Sequence, residues 1–555
     1  PLSPPPRGAG GRAPRLRPGG ASPYTQVPTR LRASREATLP LRGRDKKAMD
    51  LSDLIDRNAA FAPDKPAIRF GGTALTYAAF AERIARAARA LKSQLGVARG
   101  DRVAILSLNH PDYLVLLYAC ARLGAMLVPL NWRLAVPEQV FILADASVKA
   151  LVVEKGFAAV IEPLKAALPD VRVVGLDFPP SFDELLASGH GDGRNPHVDL
   201  SASLLIVYTS GTTGRPKGAV LRQEALVWNA VMSQHMHDMT AADHVLTVLP
   251  LFHVGGLNIQ TTPALQLGAT VTLHPRFAPD ATLDAFTRDR PTLTVLVPAT
   301  MQAVIEHPYW DATDINCLRA LTTGSTQVPQ GLVDAFTARA VPVLQVYGST
   351  ETCPIAVYTR AGGDQRAGST GLPGLVCEAR VVDDAGADVA PGTPGEVVVR
   401  GPNVFFEYWG DAAATQETLR DGWYHSGDIG TRDADGHFFI HDRKKNMIIS
   451  GGENIYPAEV ERVLVAHPDV AEGAVIGHAD PKWQEVPVAY VVRRPGCTVD
   501  ARALEAHLLT QLARFKVPRA YVFVDALPRN AMGKVQHFRI KEMAAANSVI
   551  TRESG

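Results

Sequence analysis

The residues best equipped for chemistry lie in one stretch, YTSGTTGRPKGAV, from Tyr208 to Val220. Thr209, Ser210, Thr212 and Thr213 supply hydroxyls, Gly211 and Gly214 supply bare backbone, and Lys217 supplies a positive charge. Glycines let backbone N–H groups approach an anion closely, hydroxyls donate to its oxygens, and the lysine neutralises part of its charge. That is the chemistry of a polyphosphate cradle. The P-loop pattern GxxxxGK[ST] does not describe it, because Pro216 stands where the second glycine belongs and Gly218 where the magnesium-binding Ser or Thr belongs. After the lysine, Gly218-Ala219-Val220-Leu221 reads as a strand, so the loop is predicted to join two strands rather than to open a helix.

Four other segments carry reactive or ligand-binding residue types. In QVYGSTET (Gln345 to Thr352) the Tyr347 ring suits a purine, Thr350 a phosphate oxygen, and Glu351 a magnesium ion beside a triphosphate, since magnesium takes hard oxygen ligands. WYHSGD (Trp423 to Asp428) ends in an acid able to accept two ribose hydroxyls. DRKKNMIISGGENIYPAEVE (Asp442 to Glu461) offers Arg443 to ribose or phosphate oxygens and places Lys445 in a polar linker. Its turn Ser450-Gly451-Gly452 exposes backbone to a narrow ligand arm. LPRNAMGKVQ (Leu527 to Gln536) presents Lys534 after a glycine in an exposed loop. Taken singly, these are a capping turn, a turn aspartate, a solvated basic triplet and a surface lysine. Their joint order gives them meaning.

In that order the segments resemble the adenylate-forming (AMP-binding) superfamily, over nearly everything from Met49 to Ala545. SGGENIYPAEVE together with Trp483 is most similar to its acyl-CoA synthetase, or fatty-acid–CoA ligase, branch. The resemblance implies an acid–thiol ligase. A carboxylic acid and Mg·ATP give acyl-AMP and pyrophosphate, and the thiol of coenzyme A then takes the acyl group and releases AMP. It implies that Lys534 bridges the substrate carboxylate and the α-phosphate, that Thr209 to Lys217 hold the β- and γ-phosphates, and that Glu351 holds Mg2+. Asp428 and Arg443 are implied at the ribose, and Tyr347, followed by Gly348, sandwiches the adenine with Ile440. Lys445 is the implied pivot of a C-terminal domain that withdraws the lysine loop and presents the Gly451-Gly452 face to coenzyme A.

Segments matching the family's acyl pocket are His253-Val254-Gly255-Gly256, Gly324-Ser325-Thr326 and the turn Ser349-Thr350, with His253 at the junction of acyl site and thiol tunnel. Glycines 255 and 256 leave room for a long or flat acid, and these segments hold no Arg or Lys to pair a second carboxylate. A medium- or long-chain fatty acid is the first expectation, an aryl acid such as a cinnamate or benzoate the second, and another acceptor the third. Two departures, Ser426 before Gly427-Asp428 where Thr is usual and Asn446 where an acid often follows the linker lysine, roughly keep size and hydrogen bonding. A catalytically dead binding protein would be expected to lack Lys217, Glu351, Asp428 or Lys534, and all four are present.

These side chains need a scaffold. Short β-branched runs such as Arg102 to Leu106, Leu204 to Thr209, Val271 to Leu273, Thr294 to Val297 and Leu344 to Tyr347 alternate with helical stretches. The texture turns β-rich from Pro373 to Arg400. The expected fold is α/β, a large N-terminal domain of layered α/β sheets with a small β subdomain, plus a smaller mobile α+β C-terminal domain. Boundaries are expected at 49–441 for the large domain, 442–446 for the hinge, 447–545 for the lid and 546–555 for a tail. The apolar run Tyr113 to Leu130 is broken by Arg122 and Gly124 and closed by Pro129. It reads as a helix, N-capped by Asn109 with Pro111 in its first turn, and then a short buried strand, rather than a bilayer span of about twenty residues.

At 555 residues the chain exceeds one core, and its 46% apolar and 20% charged residues are those of a globular enzyme. Five cysteines without CxxC spacing point to free thiols in a reducing, cytoplasmic compartment. Residues 1–48 are rich in Pro, Gly and Arg, with eleven Arg and Lys against Glu36 and Asp45. They fit a transit peptide or, better, translated upstream sequence, and are expected to be disordered. Taking their excess of nine positive charges from the net +1 leaves the body at −8, which argues against a nucleic-acid surface.

Overall fold

Strand alternation decides where the cores form. In Arg102–Leu106, Val103 and Ile105 point into one hydrophobic cluster while Ala104 and Leu106 point into another, as successive side chains of a strand must. Val245 and Leu246 of strand His244–Thr247 divide in the same way. Both sheets that contain these strands are therefore covered on two faces, which is why their runs are apolar without interruption. The structure, a computed structural model, describes residues 49–209, 216–324, 328–363, 366–450, 453–480, 483–529 and 533–546, of which 453, 454 and 546 in backbone only. Residues 1–48 and the 547–555 part of the expected tail lie outside them.

Among the described residues one sheet has seven strands. Its centre is parallel, with Arg102–Leu106 between Met126–Pro129 and Ala150–Val153. Its other end is an antiparallel hairpin, Ser203–Thr209 with Lys217–Arg222, capped by the two-residue strand Glu407–Tyr408. A second sheet has nine strands and carries Ala320–Gly324 beside Val343–Tyr347. The largest core cluster draws on both sheets and on the helices Tyr77–Leu95, Pro111–Leu123 and Gln223–His237.

Helix Pro111–Leu123 is buried from Asp112 through Leu123, so its apolarity serves a helix packed on all sides. No helix of the described residues is long and apolar enough to cross a membrane. Its N-cap differs from expectation. His110 Nδ1 accepts from Asp112 N, whereas the Asn109 side chain turns inward, donating to the carbonyls of Leu249 and His274 and accepting from Leu251 N. Asn109 thus pins the segment that leads into His253.

A five-stranded antiparallel sheet contains Glu378–Val382, Gly395–Arg400, Leu419–Arg420, Trp423–Arg432 and Phe438–Arg443. It extends the β-rich region beyond Arg400, to the strands bearing Asp428 and Arg443. The smaller C-terminal domain has its own core around Ile448, Val460, Val475, Ala489 and Leu504. There helices Pro457–Val465 and Ala501–Leu509 accompany a sheet of Ile448–Ser450, Glu453–Ile455, Val470–Asp480, Gln484–Arg493 and Ala520–Phe523.

Candidate active site

The predicted phosphate loop is the turn of the hairpin. Thr209 and Lys217 are register partners at its base, with Thr209 Oγ1 3.5 Å from Lys217 O. Gly218 follows from packing: a Cβ there would sit 2.7 Å from Ile206 Cγ2 and 3.1 Å from the Tyr208 ring. That contact accounts for a glycine where a P-loop carries Ser or Thr. Ser210, Gly211, Thr212, Thr213 and Gly214 lie outside the described residues. Lys217 Nζ stands 5.4 Å from the centroid of the Tyr408 ring, a cation–π distance. The Tyr408 hydroxyl in turn donates to Glu351 Oε1 at 2.8 Å. Lys217 and Glu351, distant in the chain, are thereby joined through one tyrosine.

Glu351 and Thr350 belong to a short 3₁₀ turn, Thr350–Thr352, that follows strand Val343–Tyr347 through Gly348 and Ser349. Both are buried. Ser349 Oγ donates to Tyr424 OH at 3.0 Å, and Phe405 N donates to Glu351 O at 2.7 Å, so the turn is held from two sides. A buried carboxylate with one oxygen held by a tyrosine hydroxyl is a hard oxygen donor, and it fits a magnesium ligand. Gly324 ends the adjacent strand, opposite Val346; Ser325 and Thr326 lie outside the described residues.

Asp428 and Arg443 are register partners on antiparallel strands. Arg443 Nε lies 2.6 Å from Asp428 Oδ1, and Tyr347 OH donates to Asp428 Oδ2 at 2.8 Å. The Asp428 charge raises the Arg443 pKa above its ordinary value against the opposing effect of burial, and burial and then Asp428 push Tyr347 up. Ser426, the departure from Thr, donates to Val397 O at 2.5 Å and accepts from Asp428 N at 3.0 Å, so the backbone entering Asp428 is fixed by a hydroxyl either residue would supply. Ile440, on the Arg443 strand, pairs with Gly430 and packs against the main core.

Cations converge here. Lys534 keeps much of its surface accessible, yet walls of protein surround it closely enough that desolvation, and then Arg443, lower its pKa. Such a combination describes a side chain lining a cleft. Lys445, also exposed, is lowered first by desolvation and then by Arg443. His253 is pushed down to about 4 by burial and by Lys534 and is therefore neutral near pH 7; its Nδ1 accepts from Gly255 N at 3.0 Å. Gly533 meets the large domain at Ala299, where an added Cβ would come to 4.0 Å from the alanine methyl. The linker is tied on both sides: Asp442 accepts from Asn446 Nδ2 at 3.0 Å and from Ala458 N, in the first turn of helix Pro457–Val465, at 2.9 Å.

Two groupings result. Lys217 with Glu351, and Tyr347, Asp428, Arg443, Lys445, His253 and Lys534, form chains of contact or electrostatic coupling. Trp483 sits elsewhere, on the turn between Val470–Asp480 and Gln484–Arg493, where Gln484 pairs with Ser450. That puts it beside the strand leading into Gly451-Gly452, themselves outside the described residues. Sequence reasoning missed Tyr408 and Tyr424. The aromatic run Phe405-Phe406-Glu407-Tyr408-Trp409 was the available signal for Tyr408, and the place of Tyr424 inside WYHSGD the signal for Tyr424. It also missed the His537–Glu461 pair beside the lysine loop, at 2.6 Å; burial opposes protonation there, but the Glu461 bond and charge raise the His537 pKa overall.

Comparison with known proteins places this geometry. A family profile described as AMP-binding enzyme matches residues 55–409, and one described as AMP-binding enzyme C-terminal domain matches 459–534. The chain is 51% identical over 503 residues to an indoleacetate–CoA ligase of Aromatoleum aromaticum, covering 90% of this chain and 98% of that protein. It is 44% identical over 480 residues to a feruloyl-CoA synthase of an Amycolatopsis species, covering 86% and 96%. Among solved structures, the anthranilate CoA ligase AuaEII in complex with anthranoyl-AMP superposes with a TM-score of 0.85 at 27% identity, covering 91% of this chain and 99% of that one.

Proposed function

The chain belongs to the AMP-binding enzyme family, and on that premise we propose that it activates an aromatic carboxylic acid, of the arylacetate or hydroxycinnamate class, as its coenzyme A thioester. An ATP-dependent acid–thiol ligase with coenzyme A as acceptor is what the family and its relatives establish; the aromatic acid is our inference. The observation that carries it is the 51% identity to an indoleacetate–CoA ligase over nearly that protein's whole length. The residues alone rank a fatty acid first and an aryl acid second, and the relatives reverse that order. Gly255 supports a flat acid, since it puts no side chain beside the His253 ring, whereas the expected room at Gly256 is taken by the Pro250 and Leu249 carbonyls.

In this reading a carboxylate oxygen of the acid attacks the α-phosphorus of ATP, the bond to pyrophosphate breaks, and a mixed anhydride, acyl-AMP, results. The thiol sulfur of coenzyme A then attacks the acyl carbon, its proton leaves, and AMP departs. Lys534 holds the carboxylate and α-phosphate together, where its charge meets the negative charge that gathers in the transition state. Thr209 and Lys217 steady the outer phosphates. Glu351 would hold Mg2+, which when bound neutralises charge on the triphosphate. Asp428, oriented by Arg443 and Tyr347, accepts the ribose hydroxyls, and Tyr347 and Ile440 flank the adenine.

We assign residues 442–446 as a hinge between a domain of 49–441 and a lid of 447–545. Rotation about Lys445 would withdraw Lys534 and bring the Gly451-Gly452 turn and Trp483 to the site for the thiol step. A reducing cytoplasm suits this reading, since the five cysteines are free.

The test is release of AMP and pyrophosphate from ATP over arylacetic, hydroxycinnamic and fatty acids, with and without coenzyme A. Sustained AMP release that needs coenzyme A and an aromatic acid is expected. Turnover confined to fatty acids would overturn the aromatic assignment and leave the ligase intact.

A further inference from the structure

Gln260 lies in a π-helical stretch, Leu257–Thr261, that directly follows the His253–Gly256 segment. Such stretches are rare and often accompany function. Its surroundings fix which way its amide points. His237 Nδ1 is 2.7 Å from Ser233 O, which can only accept, so Nδ1 carries the proton. Burial holds the His237 pKa down to about 4, so at neutral pH the ring is uncharged and Nε2 is a bare acceptor. Thr322 Oγ1 at 2.7 Å and Gln260 Nε2 at 3.0 Å meet that nitrogen, and Gln260 Nε2 is also 3.4 Å from the Thr294 carbonyl. An amide oxygen in the place of Nε2 would face two acceptors. The nitrogen end of Gln260 is therefore committed to His237, and Oε1 is turned away from it.

Among the described residues that oxygen has no hydrogen-bond partner, although Gln260 is only 1% exposed. Buried acceptors are rarely left so. Gln260 borders a narrow void, with Leu249, Gly256, Thr261 and Val295 among its other walls, that has room for about one water molecule. Gly256 belongs to the segment proposed to line the acyl site, so the void borders that segment. It is too small for a ring and large enough for the polar edge of one.

We propose that Gln260 is a specificity-determining residue, its Oε1 accepting a hydrogen bond from an N–H or O–H group on the ring edge of the acid. The proposal rests on the aromatic-acid reading and deepens it: the enzyme selects an aromatic acid that carries a donor, such as an indole N–H or a phenol O–H, over an isostere without one. A site built around a substrate donor discriminates strongly, because the analogue leaves its buried acceptor unpaired.

The experiment compares kcat/KM for indole-3-acetate and for 1-benzothiophene-3-acetate, which replaces N–H by sulfur in a ring of similar shape. It uses the full chain and the variants Gln260→Met and Gln260→Leu, each checked for folding by thermal melting. The unaltered protein is expected to favour the indole by about tenfold or more, and both variants to bring that ratio within about twofold. Equal use of the two acids by the unaltered protein, which needs no variant to fold, overturns the assignment and means that the void holds only solvent. A ratio that survives both substitutions overturns it as well, and in either case the aromatic reading stands. Turnover of fatty acids alone would remove both.

Discussion

Asp428 is held from two sides: Arg443 Nε lies 2.6 Å from its Oδ1 and Tyr347 OH 2.8 Å from its Oδ2. The carboxylate is thus oriented within the protein itself, and each oxygen keeps a lone pair for a ribose hydroxyl. Asp428→Asn keeps the size and removes the charge, so Arg443 loses its ionic partner. Hydrogen bonds to charged groups are the stronger ones, and the affinity for AMP should fall by about tenfold or more, measured by calorimetry. Unchanged affinity would move the ribose elsewhere.

In the bridging role proposed for it Lys534 must be a cation, and its cleft and Arg443 lower its pKa. The kcat/KM for pyrophosphate release should therefore decline with rising pH earlier than an ordinary lysine would allow, since this quantity reports the free enzyme. Lys534→Arg, always charged, should push that alkaline limb upward. Lys534→Ala should lower adenylation by about 10²–10³-fold yet still convert supplied acyl-AMP to thioester. Equal loss of both half-reactions would contradict the division of labour between Lys534 and the Gly451-Gly452 face.

Tyr408 donates to Glu351 Oε1 and lies under Lys217. A partner that orients a metal-ligating carboxylate typically matters by 10–100-fold in affinity or activity. Tyr408→Phe keeps the ring that Lys217 faces and deletes the hydroxyl. The Mg2+ concentration giving half-maximal rate should rise by about tenfold, while a melting curve stays near that of the parent. An unaltered Mg2+ titration would detach Glu351 from the metal.

Gly256 and Gly255 should respond differently to the same methyl group. At Gly256 an added Cβ would run into the carbonyls of Pro250 and Leu249, which are backbone and cannot swing aside, whereas at Gly255 it would meet the His253 ring nitrogen at 3.1 Å. Overpacking of this kind costs about 1–3 kcal/mol. Gly256→Ala should lower the melting temperature clearly, and Gly255→Ala should chiefly raise KM for the acid.

What the chain reveals in one dimension follows from how its chemistry is spaced. Lys217, Glu351, Asp428 and Lys534 stand out because each sits in a short run dense in glycine, hydroxyls or charge. Unbroken apolarity in runs such as Arg102–Leu106 announces strands covered on both faces. The aromatic run around Tyr408 hides its role, which arises only when Glu407–Tyr408 pairs with Lys217–Arg222, a contact between distant segments. Asn109 is a good N-cap residue by local preference, and three long-range hydrogen bonds outweigh that preference. Gln260 gives no local sign at all, since its unpaired oxygen follows from the tautomer of His237.

The pairing of Glu407–Tyr408 with the hairpin strand also sets a schedule. A ribosome delivers Lys217 long before Tyr408, so during synthesis the strand that flanks the phosphate loop waits with an open edge. Asp428 and Arg443 arrive later still, and Lys534 after them. Two large sheets can assemble on the nascent chain while the proposed nucleotide pocket lacks a wall, and competence to bind ATP comes only after Arg443 has emerged. Truncated products would then carry much of the hydrophobic core and little of the chemistry.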